Sequence, residues 1–291
     1  MRFPQEVLVA MMTEKGETIM AEMYARGRFG EVYLLDDNKV LKLFFPEVPK
    51  EDAEQEYKNC KLAYENGCTP IKVYDLVEQD GRYGFTMDFC PGMSQNDYSG
   101  KHPGYILKGG IDLAKQHYIV HSKKCHELRD IRTYTCDLLD NCEHFGALTK
   151  DEKERAKKYI MSLPEEDTII HLDFHTGNVM IDDTGKCRTV DWTTAFRGNR
   201  AIEVAMMEHF FSEAELFAEA SDMQNWFYDK VRRIVGHYYF KEYKTLMPIS
   251  SRDIDRYRLP ALVFRRSWDL VTEREILDKH IKDLIAKYGI D

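Results

Sequence analysis

A chain of 291 residues with 43% hydrophobic and 31% charged residues has the composition of a globular protein in water, and it is long enough for one large domain or two lobes. Its formal net charge of −9 argues against nucleic acid as a partner, because proteins that bind a phosphate backbone carry clusters of basic residues. Seven cysteines without a Cys-x-x-Cys pair fit reduced thiols, so we expect a cytoplasmic protein without a disulfide framework.

The first 90 residues have the pattern of β-strands. The apolar run at 7–12 is followed at once by charged residues and is expected to be neither a signal peptide nor a membrane span. Strands are predicted at 19–24, 31–35, 39–44, 71–78 and 83–89, with Asp37-Asn38 as a hairpin turn. Residues 50–65 predict one charged helix that stops at Asn66-Gly67. Cys90-Pro91-Gly92 interrupts this pattern and predicts a boundary between two parts, 1–90 and 91–291.

The second part is mainly helical. Helices are predicted at 106–120, 202–220, 224–240 and 273–287. A further helix is predicted to begin at a capping box at 149–152 and to end at Leu163-Pro164. Residues 168–170 predict a short buried strand, with 187–190 as its partner and 182–185 as the hairpin turn. A strand-rich part followed by a helical part predicts a two-lobed α+β protein.

Three polar residues next to the predicted hairpin indicate phosphoryl transfer. Residues 171–178 read His-Leu-Asp-Phe-His-Thr-Gly-Asn, and 190–192 read Val-Asp-Trp. Asp173 and Asn178 are five positions apart, and Asp191 lies thirteen beyond the Asn. One carboxylate can orient and deprotonate an attacking hydroxyl, while the amide oxygen and the other carboxylate hold Mg²⁺ against nucleotide phosphates. Gly177 is expected to supply the turn that Asn178 needs.

The first hairpin of the chain contains a glycine loop. With Gly27 and Gly30 followed by the β-branched Val32, backbone amides of residues 25–32 could approach a triphosphate without side-chain obstruction. Glycine pairs in hairpin loops are as often simple turns.

A lysine and a glutamate complete the pattern of a phosphate-binding lobe. Lys42 lies in the apolar strand 39–44, where an inward charge requires a partner. Glu56 of the predicted helix is the first candidate for that partner and Glu54 the second, and phosphate oxygens are the other natural partner.

The segment 171–178 also allows a different chemistry. His171, Asp173 and His175 alternate, so on an extended strand they would share one face and could hold a transition metal in a metal-dependent hydrolase. Further ligands with suitable spacing are missing, since the remaining candidates fall in predicted helices (His209, His237 and His280).

Taken in order, these motifs resemble the aminoglycoside phosphotransferase and choline kinase-like group of small-molecule kinases, which have the protein-kinase-like fold. The resemblance covers about residues 19–205 and rests on the segments 25–32, 40–42, 50–67, 87–92, 171–178 and 190–192. It implies a β-rich N-lobe at 1–90 that binds nucleotide and a helical C-lobe at 91–291 with the catalytic loop and substrate pocket. It also implies ATP or GTP and Mg²⁺ as cofactors.

The resemblance assigns a role to each matched residue. Asp173 would be the catalytic base, Asn178 and Asp191 would bind Mg²⁺, and Lys42 would hold the α- and β-phosphates. The hinge backbone would hold adenine (Asp88, Phe89 and Cys90), and two histidines would organise the catalytic loop rather than bind metal (His171 and His175).

Four positions depart from the family pattern. Leu172 replaces a glycine, Ala25 stands where such loops often begin with glycine, Glu203 replaces an aspartate that steadies the catalytic loop, and Asp88 replaces a hinge glutamate. None removes a catalytic group, so we expect an active phosphotransferase with an alcohol group as acceptor. A non-catalytic nucleotide-binding module is the alternative.

The acceptor is expected to be a small molecule, with cationic compounds such as an aminoglycoside or an amino alcohol as candidates. Acidic residues after position 205 could bind a polycation (Glu208, Glu213, Glu215, Asp222 and Asp269). Aromatic residues could cage a quaternary amine (Trp226, Tyr228, Tyr238 and Trp268). Both sets are more often solvated faces and core packing.

Overall fold

The computed structural model describes residues 8–12, 18–35, 38–214 and 221–290. Its strands are β1 (Leu8–Met12), β2 (Thr18–Arg26), β3 (Gly30–Leu34), β4 (Lys39–Phe44), β5 (Val73–Gln79), β6 (Arg82–Asp88), β7 (Met93–Ser94), β8 (Thr168–Ile170), β9 (Val179–Ile181), β10 (Cys187–Thr189) and β11 (Phe196–Gly198). Its α-helices are α1 (Lys50–Glu65), α2 (Gln95–Lys101), α3 (Ile106–His121), α4 (Ile131–Asn141), α5 (Lys150–Ser162), α6 (Arg200–Ser212), α7 (Asp222–Leu246), α8 (Ser251–Arg256), α9 (Arg258–Arg266) and α10 (Arg274–Tyr288).

These elements form two compact units. The first contains the described residues up to Gly92 together with Met180–Thr194, and the second contains Met93–Val179 and the described residues from Ala195 onward. The sequence-based division at residue 90 assigned 180–194 to the second part, whereas here this segment packs with the first unit. The functional assignment of 1–90 to nucleotide binding and 91–291 to catalysis and substrate binding stays a prediction.

The first unit is built on a six-stranded antiparallel sheet in the order β1-β2-β3-β4-β6-β5. The predictions for β4 and α1 are confirmed with the same bounds, and those for β2, β3, β5 and β6 within two residues. β1 was not predicted as a strand, and Asp37 of the predicted hairpin turn lies outside the described residues. α1 ends as predicted, since Gly67 follows with a φ of 71°, a conformation that glycine adopts without strain.

A short hairpin in the first unit corrects one strand pairing. β9 is the neighbour of β10 across the turn at 182–185, where the Gly185 amide donates to the Asp182 carbonyl at 2.8 Å. The predicted partner of β8 was therefore wrong. β8 instead pairs antiparallel with β11, with Ile170 opposite Phe196. The two strands that a tight turn joins are those directly on either side of it, here β9 and β10. The sequence interpretation had overlooked the strand at 179–181 and therefore chose β8.

The second unit is mainly helical, as predicted. Thr149 caps α5, and Glu152 completes the predicted capping box. α6 stops at Ser212, earlier than the predicted 220, and 215–220 lie outside the described residues. Four helices were not predicted (α2, α4, α8 and α9), and in α9 the misleading residue was Pro260, which the first helical turn tolerates. Among the described residues, no helix combines the length and apolar character needed to cross a membrane.

Candidate active site

Lys42 and Glu56 form a buried ion pair in the first unit. Lys42 lies in the centre of the sheet, opposite Val32 on β3 and Phe85 on β6. Its ammonium group contacts the carboxylate of Glu56 from α1, whose side chain is only 3% exposed. Burial opposes the lysine charge, but the Glu56 and Asp191 carboxylates outweigh burial and raise the pKa of Lys42. The other candidate partner, Glu54, pairs instead with Lys50 at the surface.

Asp191 is connected to this ion pair through Thr193. The Thr193 hydroxyl lies 2.7 Å from Glu56 Oε2 and 2.7 Å from Asp191 Oδ1, and because it has one hydrogen it donates to one of these carboxylates at a time. Asn59 of α1 donates to the carbonyls of Trp192 and Thr193, both at 3.1 Å. Asp191 itself adopts a left-handed conformation with φ of 63°. Helix α1 therefore supports both the partner of Lys42 and the segment that carries Asp191.

The glycine loop has a structural explanation for one of its glycines. A Cβ atom at Gly30 would lie 2.6 Å from the Leu43 carbonyl oxygen, so the close approach of β4 requires glycine there. A Cβ atom at Gly27 would make only an ordinary contact, 3.7 Å from the Gly30 carbonyl oxygen, to which the Gly27 amide donates at 2.8 Å. Ala25, where the family often has glycine, pairs with Val32 next to an irregularity in β2. A phosphate-binding role for this loop stays a prediction.

The predicted hinge uses its first residues to anchor the sheet. The Asp88 carboxylate accepts from the Lys72 amide at 2.9 Å and from the Tyr74 hydroxyl at 2.6 Å, which explains a shorter acid at this position. The Phe89 amide donates to the Asn38 carbonyl at 2.7 Å. Burial raises the pKa of the Cys90 thiol to about 11, so this thiol stays protonated.

In the second unit, Asp173 and Asn178 contact each other directly. The Asn178 side-chain amide donates to the Asp173 carbonyl at 2.9 Å and to Asp173 Oδ2 at 3.1 Å. With its nitrogen used in this way, the amide presents its oxygen away from Asp173. The Asp173 side chain is 21% exposed, so the carboxylate is accessible.

The two loop histidines hold the backbone around Asp173. Buried His171 accepts the Asp173 amide at Nδ1, 3.3 Å away. His175 accepts the Gly177 amide at Nδ1, 2.9 Å away, and its Nε2 lies 3.5 Å from Asp173 Oδ1. Gly177 lies in the predicted turn, which the Asn178 amide closes by donating to the His175 carbonyl at 2.9 Å. Its φ is not positive, and glycine is required because a Cβ there would lie 2.7 Å from the His175 ring.

Leu172 and Glu203, two of the four departures, meet in the structure. Leu172 is fully buried and has a φ of 62°, a conformation that favours glycine. Its amide donates to Glu203 Oε1 at 2.5 Å, and the His171 amide donates to Glu203 Oε2 at 2.8 Å. The longer acid therefore still reaches the two amides that precede Asp173.

His117 and His121 on α3 complete the surroundings of Glu203. Burial opposes the charge of Glu203, but the two imidazoles hold the pKa of its carboxyl well below the usual value. Sequence reasoning missed these histidines. Their spacing of four was the signal that could have found them, with Tyr239 and Tyr243 at the same spacing, although the helices predicted at 106–120 and 224–240 ended before His121 and Tyr243.

The hydrolase interpretation finds no support in this arrangement. Within the described ranges, the group of acidic, histidine or cysteine side chains close enough to hold a metal ion is His117, His121 and Glu203. His171 and His175 instead hold backbone amides, as described above, so the alternating residues of the loop do not converge as metal ligands.

The acidic residues proposed for a cationic acceptor already contact arginine or histidine side chains where the structure describes them. Glu208 pairs with Arg258 at 2.5 Å, Glu213 lies 3.5 Å from His280, and Asp269 pairs with Arg266 at 2.7 Å. Glu215 and the side chain of Asp222 lie outside the described part of the chain.

The aromatic residues proposed for a quaternary amine do not form one cage. Trp226 and Tyr238 are twelve positions apart on α7, which separates them by about 18 Å along the helix axis. Lys230 lies over the Trp226 ring and Arg265 over the Trp268 ring, at 5.8 and 5.0 Å from the ring centroids.

Comparison with known proteins identifies the family of this chain. A family model described as the phosphotransferase enzyme family matches residues 24–232. The chain belongs to this family. This confirms the predicted family resemblance and the predicted enzyme class, a phosphotransferase with an alcohol group as acceptor. A search of curated proteins found no match.

Solved structures show the same fold. The apo form of a thermostable mutant of aminoglycoside phosphotransferase APH(4)-Ia is similar with a TM-score of 0.60 and 15% identity, covering 94% of this chain and 95% of that one. Aminoglycoside-3'-phosphotransferase of type VIII gives a TM-score of 0.56 at 15% identity, covering 91% and 94%. A mutant of APH(4)-Ia in a ternary complex with AMP-PNP and hygromycin B gives 0.58 at 15% identity, covering 92% of each chain. The predicted two-lobed kinase-like α+β fold is thereby confirmed.

Proposed function

We propose that this protein is a small-molecule kinase that transfers the γ-phosphoryl group of ATP or GTP to a hydroxyl of a small acceptor. The observation that carries the proposal is the pair of Lys42 and Glu56, connected through Thr193 to Asp191. The Glu56 side chain is buried and the Lys42 side chain is 18% exposed. A largely enclosed lysine in a sheet retains its charge only if anions meet it, and nucleotide phosphates are further anions that it could meet.

Nucleotide binding is assigned to the first unit. Lys42 would hold the α- and β-phosphates, with Glu56 keeping the ammonium group in place. The amides of residues 28–30 would face the phosphates, since the Gly27 amide already donates to the Gly30 carbonyl. At the hinge, the Phe89 amide is already used by Asn38, so the Asp88 carbonyl and the next amide, that of Cys90, are the groups we assign to adenine.

The residues assigned to Mg²⁺ have the donor chemistry that this ion prefers. The Asn178 amide presents its oxygen because its nitrogen is bound to Asp173, and Asp191 provides a carboxylate. Hard oxygen donors of this kind suit Mg²⁺, which otherwise keeps water and substrate phosphates as ligands. When bound, the ion would neutralise charge on the phosphates.

Asp173 is assigned the role of general base. Its carboxylate would accept the proton of the acceptor hydroxyl as the oxygen attacks the γ-phosphorus, and ADP or GDP would leave. Asn178 and His171 fix the carboxylate and its backbone, which leaves Asp173 oriented before substrate binds. Positioning of this kind supplies much of the catalysis in phosphoryl transfer.

The acceptor is proposed to be a small polyol or amino alcohol. One structural neighbour was solved with hygromycin B, which keeps aminoglycosides among the candidates. Glu208 and Asp269 would have to give up arginine partners before binding a polycation, which favours an acceptor with little positive charge.

A screen for nucleotide consumption tests the proposal. Purified protein with Mg²⁺ and ATP or GTP is mixed with aminoglycosides, choline, homoserine, sugars and macrolides, and diphosphate release is measured. We expect release that depends on one acceptor class and a thermal shift with Mg-nucleotide alone. If the protein binds nucleotide but releases no diphosphate, not even by slow hydrolysis, it is instead the non-catalytic nucleotide-binding module.

A further inference from the structure

A buried polar cluster lies beside the loop that carries Asp173 and is not used by the proposed chemistry. Its members are His117 and His121 on α3, Glu203 on α6, and Tyr239 and Tyr243 on α7, here called the histidine–tyrosine cluster. All five side chains are buried. α3 and α7 pack closely at Gly110, where a side chain would not fit because its Cβ would lie 2.4 Å from the Val235 carbonyl oxygen. Burying five polar side chains is unfavourable unless each is hydrogen-bonded.

The two histidines point the same nitrogen atom at Glu203. His121 Nε2 lies 2.9 Å from Glu203 Oε2, and His117 Nε2 lies 3.1 Å from the same oxygen. On the other side of each ring, His117 Nδ1 contacts the Tyr239 hydroxyl at 2.5 Å and His121 Nδ1 contacts the Tyr243 hydroxyl at 2.7 Å.

The protons around His121 can be assigned from its hydrogen bonds. A charged Glu203 can only accept, so the His121 Nε2 atom that faces it carries hydrogen. Burial lowers the pKa of His121 to about 4 and raises the pKa of Tyr243, so the ring is neutral and the hydroxyl protonated at pH 7. The neutral ring has an accepting Nδ1, to which the Tyr243 hydroxyl donates. Tyr243 thus selects the tautomer of His121 that donates to Glu203.

The cluster contacts the loop on both sides of Asp173. Before it, Glu203 accepts the amides of His171 and Leu172. After it, the Phe174 ring stacks on His117, with centroids 4.1 Å apart and planes 14° from parallel. The loop is therefore held at each neighbour of Asp173, including the left-handed Leu172. A left-handed leucine is strained and persists where its surroundings impose it.

We propose that His117 and His121 are positioning residues for Asp173, which hold Glu203 and Phe174 and through them set the backbone on both sides of the base. The proposal rests on the proposed function of Asp173. It goes beyond the role of the acid at 203, because it states that two histidines and their tyrosine partners hold that acid in position.

A metal ion is the competing explanation of the same cluster. The Nε2 atoms and a Glu203 oxygen are close enough to one another for a metal. Against this, both oxygens of Glu203 already accept backbone amides, and the distances of 2.9 and 3.1 Å fit direct contacts without an ion.

The test compares two substitutions of His121 with a matched control. Leucine removes the donor at similar volume, whereas glutamine can place an amide N–H near the position of Nε2. The control is His209→Leu, because His209 is also buried on α6 and bonds a buried acid, with Nε2 2.9 Å from Glu273 Oε2. Amide hydrogen exchange of residues 168–176, kcat and the nucleotide KM are measured for each protein.

We expect His121→Leu to speed amide exchange of 168–176 and to lower kcat, each by about tenfold or more, with the nucleotide KM within about twofold of the parent. His121→Gln should restore both to within about threefold of the parent. His209→Leu should lower the melting temperature without changing exchange in 168–176 or kcat. If His121→Leu does not fold, Tyr243→Phe, which removes only the hydroxyl, should shift exchange and kcat in the same direction.

Unchanged exchange at 168–176 in a folded His121→Leu protein would overturn the proposal, as would equal effects of His209→Leu. An equimolar metal ion that is bound to the parent and lost in His121→Leu would also overturn it. The exchange measurement does not depend on catalysis. If Asp173→Asn had the same kcat as the parent, the proposed role of Asp173 would be wrong. Amide hydrogen exchange at 168–176 would still decide whether the histidine–tyrosine cluster holds the loop.

Discussion

The amide of Leu172 donates to the carboxylate of Glu203 at 2.5 Å, so two positions at which this chain departs from its family are in direct contact. A glycine would adopt the φ of 62° without strain, and an aspartate would be one methylene shorter than Glu203. The pair replaces a flexible residue and a short acid by a buried leucine and a longer acid. The hydrogen bonds to the loop backbone are kept.

This contact predicts that the two positions are coupled in stability. Glu203→Asp alone should lower the free energy of unfolding by about 1–3 kcal/mol, because the shorter acid cannot reach both amides and His121. Leu172→Gly should also destabilise, since the lost burial exceeds the relief of strain. The double variant should lose less than the sum by about 0.5 kcal/mol or more, because glycine lets the loop move toward the aspartate. Urea unfolding of the four proteins measures this, and additive effects would show that the positions act independently.

The buried ion pair predicts different responses to nucleotide. Loss of either partner leaves an uncompensated charge, so Glu56→Gln and Lys42→Met should each cost on the order of 3 kcal/mol. Mg-nucleotide should restore part of the stability of Glu56→Gln, because phosphate supplies Lys42 with a new partner and binding favours the folded state. Lys42→Met should show no such recovery.

A thermal-shift comparison decides this prediction. The surface pair of Lys50 and Glu54 provides the control, and substitutions there should change stability by less than about 1 kcal/mol without affecting nucleotide binding. Equal nucleotide stabilisation of Lys42→Met and the parent would remove Lys42 from the nucleotide site.

Thr193 should matter more than an ordinary surface threonine. Thr193→Val keeps the shape and removes the hydroxyl between Glu56 and Asp191, so we expect a loss of about 1 kcal/mol and weaker binding of Mg-nucleotide. Thr184→Val is the control, since Thr184 is exposed and its hydroxyl contacts Asp182 at 2.6 Å in a turn. Calorimetric titration with Mg-nucleotide measures the difference, and identical affinities for both variants would contradict the role of Thr193.

The neutral state of His121 predicts a specific pH dependence. Its pKa is lowered by burial and by His117 to about 4, against about 6.5 in an unfolded chain. Between these values the unfolded state binds the extra proton, so stability should fall with pH from 6.5 to 4, by about 1.4 kcal/mol per unit from this group. Above pH 6.5 the group contributes no slope. His117, Glu203, Tyr243 and Arg200 are the charged or titratable neighbours of this ring.

Denaturant unfolding at pH 4.5, 5.5 and 7 tests this dependence. His121→Gln cannot take up the proton, so its stability should change less over this range than that of the parent. The same slope in both proteins would show that other groups cause the acid sensitivity.

The sequence predicted those parts of the fold whose signals are local. The bounds of β4 and α1 follow from an apolar strand pattern and from Asn66-Gly67, and the capping box of α5 from Thr149 and Glu152. The pairing of β8 with β11 was missed, because three consecutive buried residues have no alternation that would identify a partner strand.

The candidate site shows the same limit. Lys42, Glu56, Asp173, Asn178 and Asp191 were selected because their order along the chain is informative. His117 and His121 were not selected, because their role arises from the packing of α3 against α6 and α7, which the sequence does not specify. Only their spacing of four was visible.

The central claim is that Asp173 removes the proton of an acceptor hydroxyl, and the kinetics of Asp173→Asn test it most directly. With the acceptor identified by the screen, kcat and the Kd for Mg-nucleotide are measured for the parent and the variant. The account predicts that kcat falls about a hundredfold or more, while the Kd stays within about twofold, because asparagine keeps the size of the side chain and loses the base. A kcat within a few-fold of the parent would contradict the assignment of Asp173 as the base.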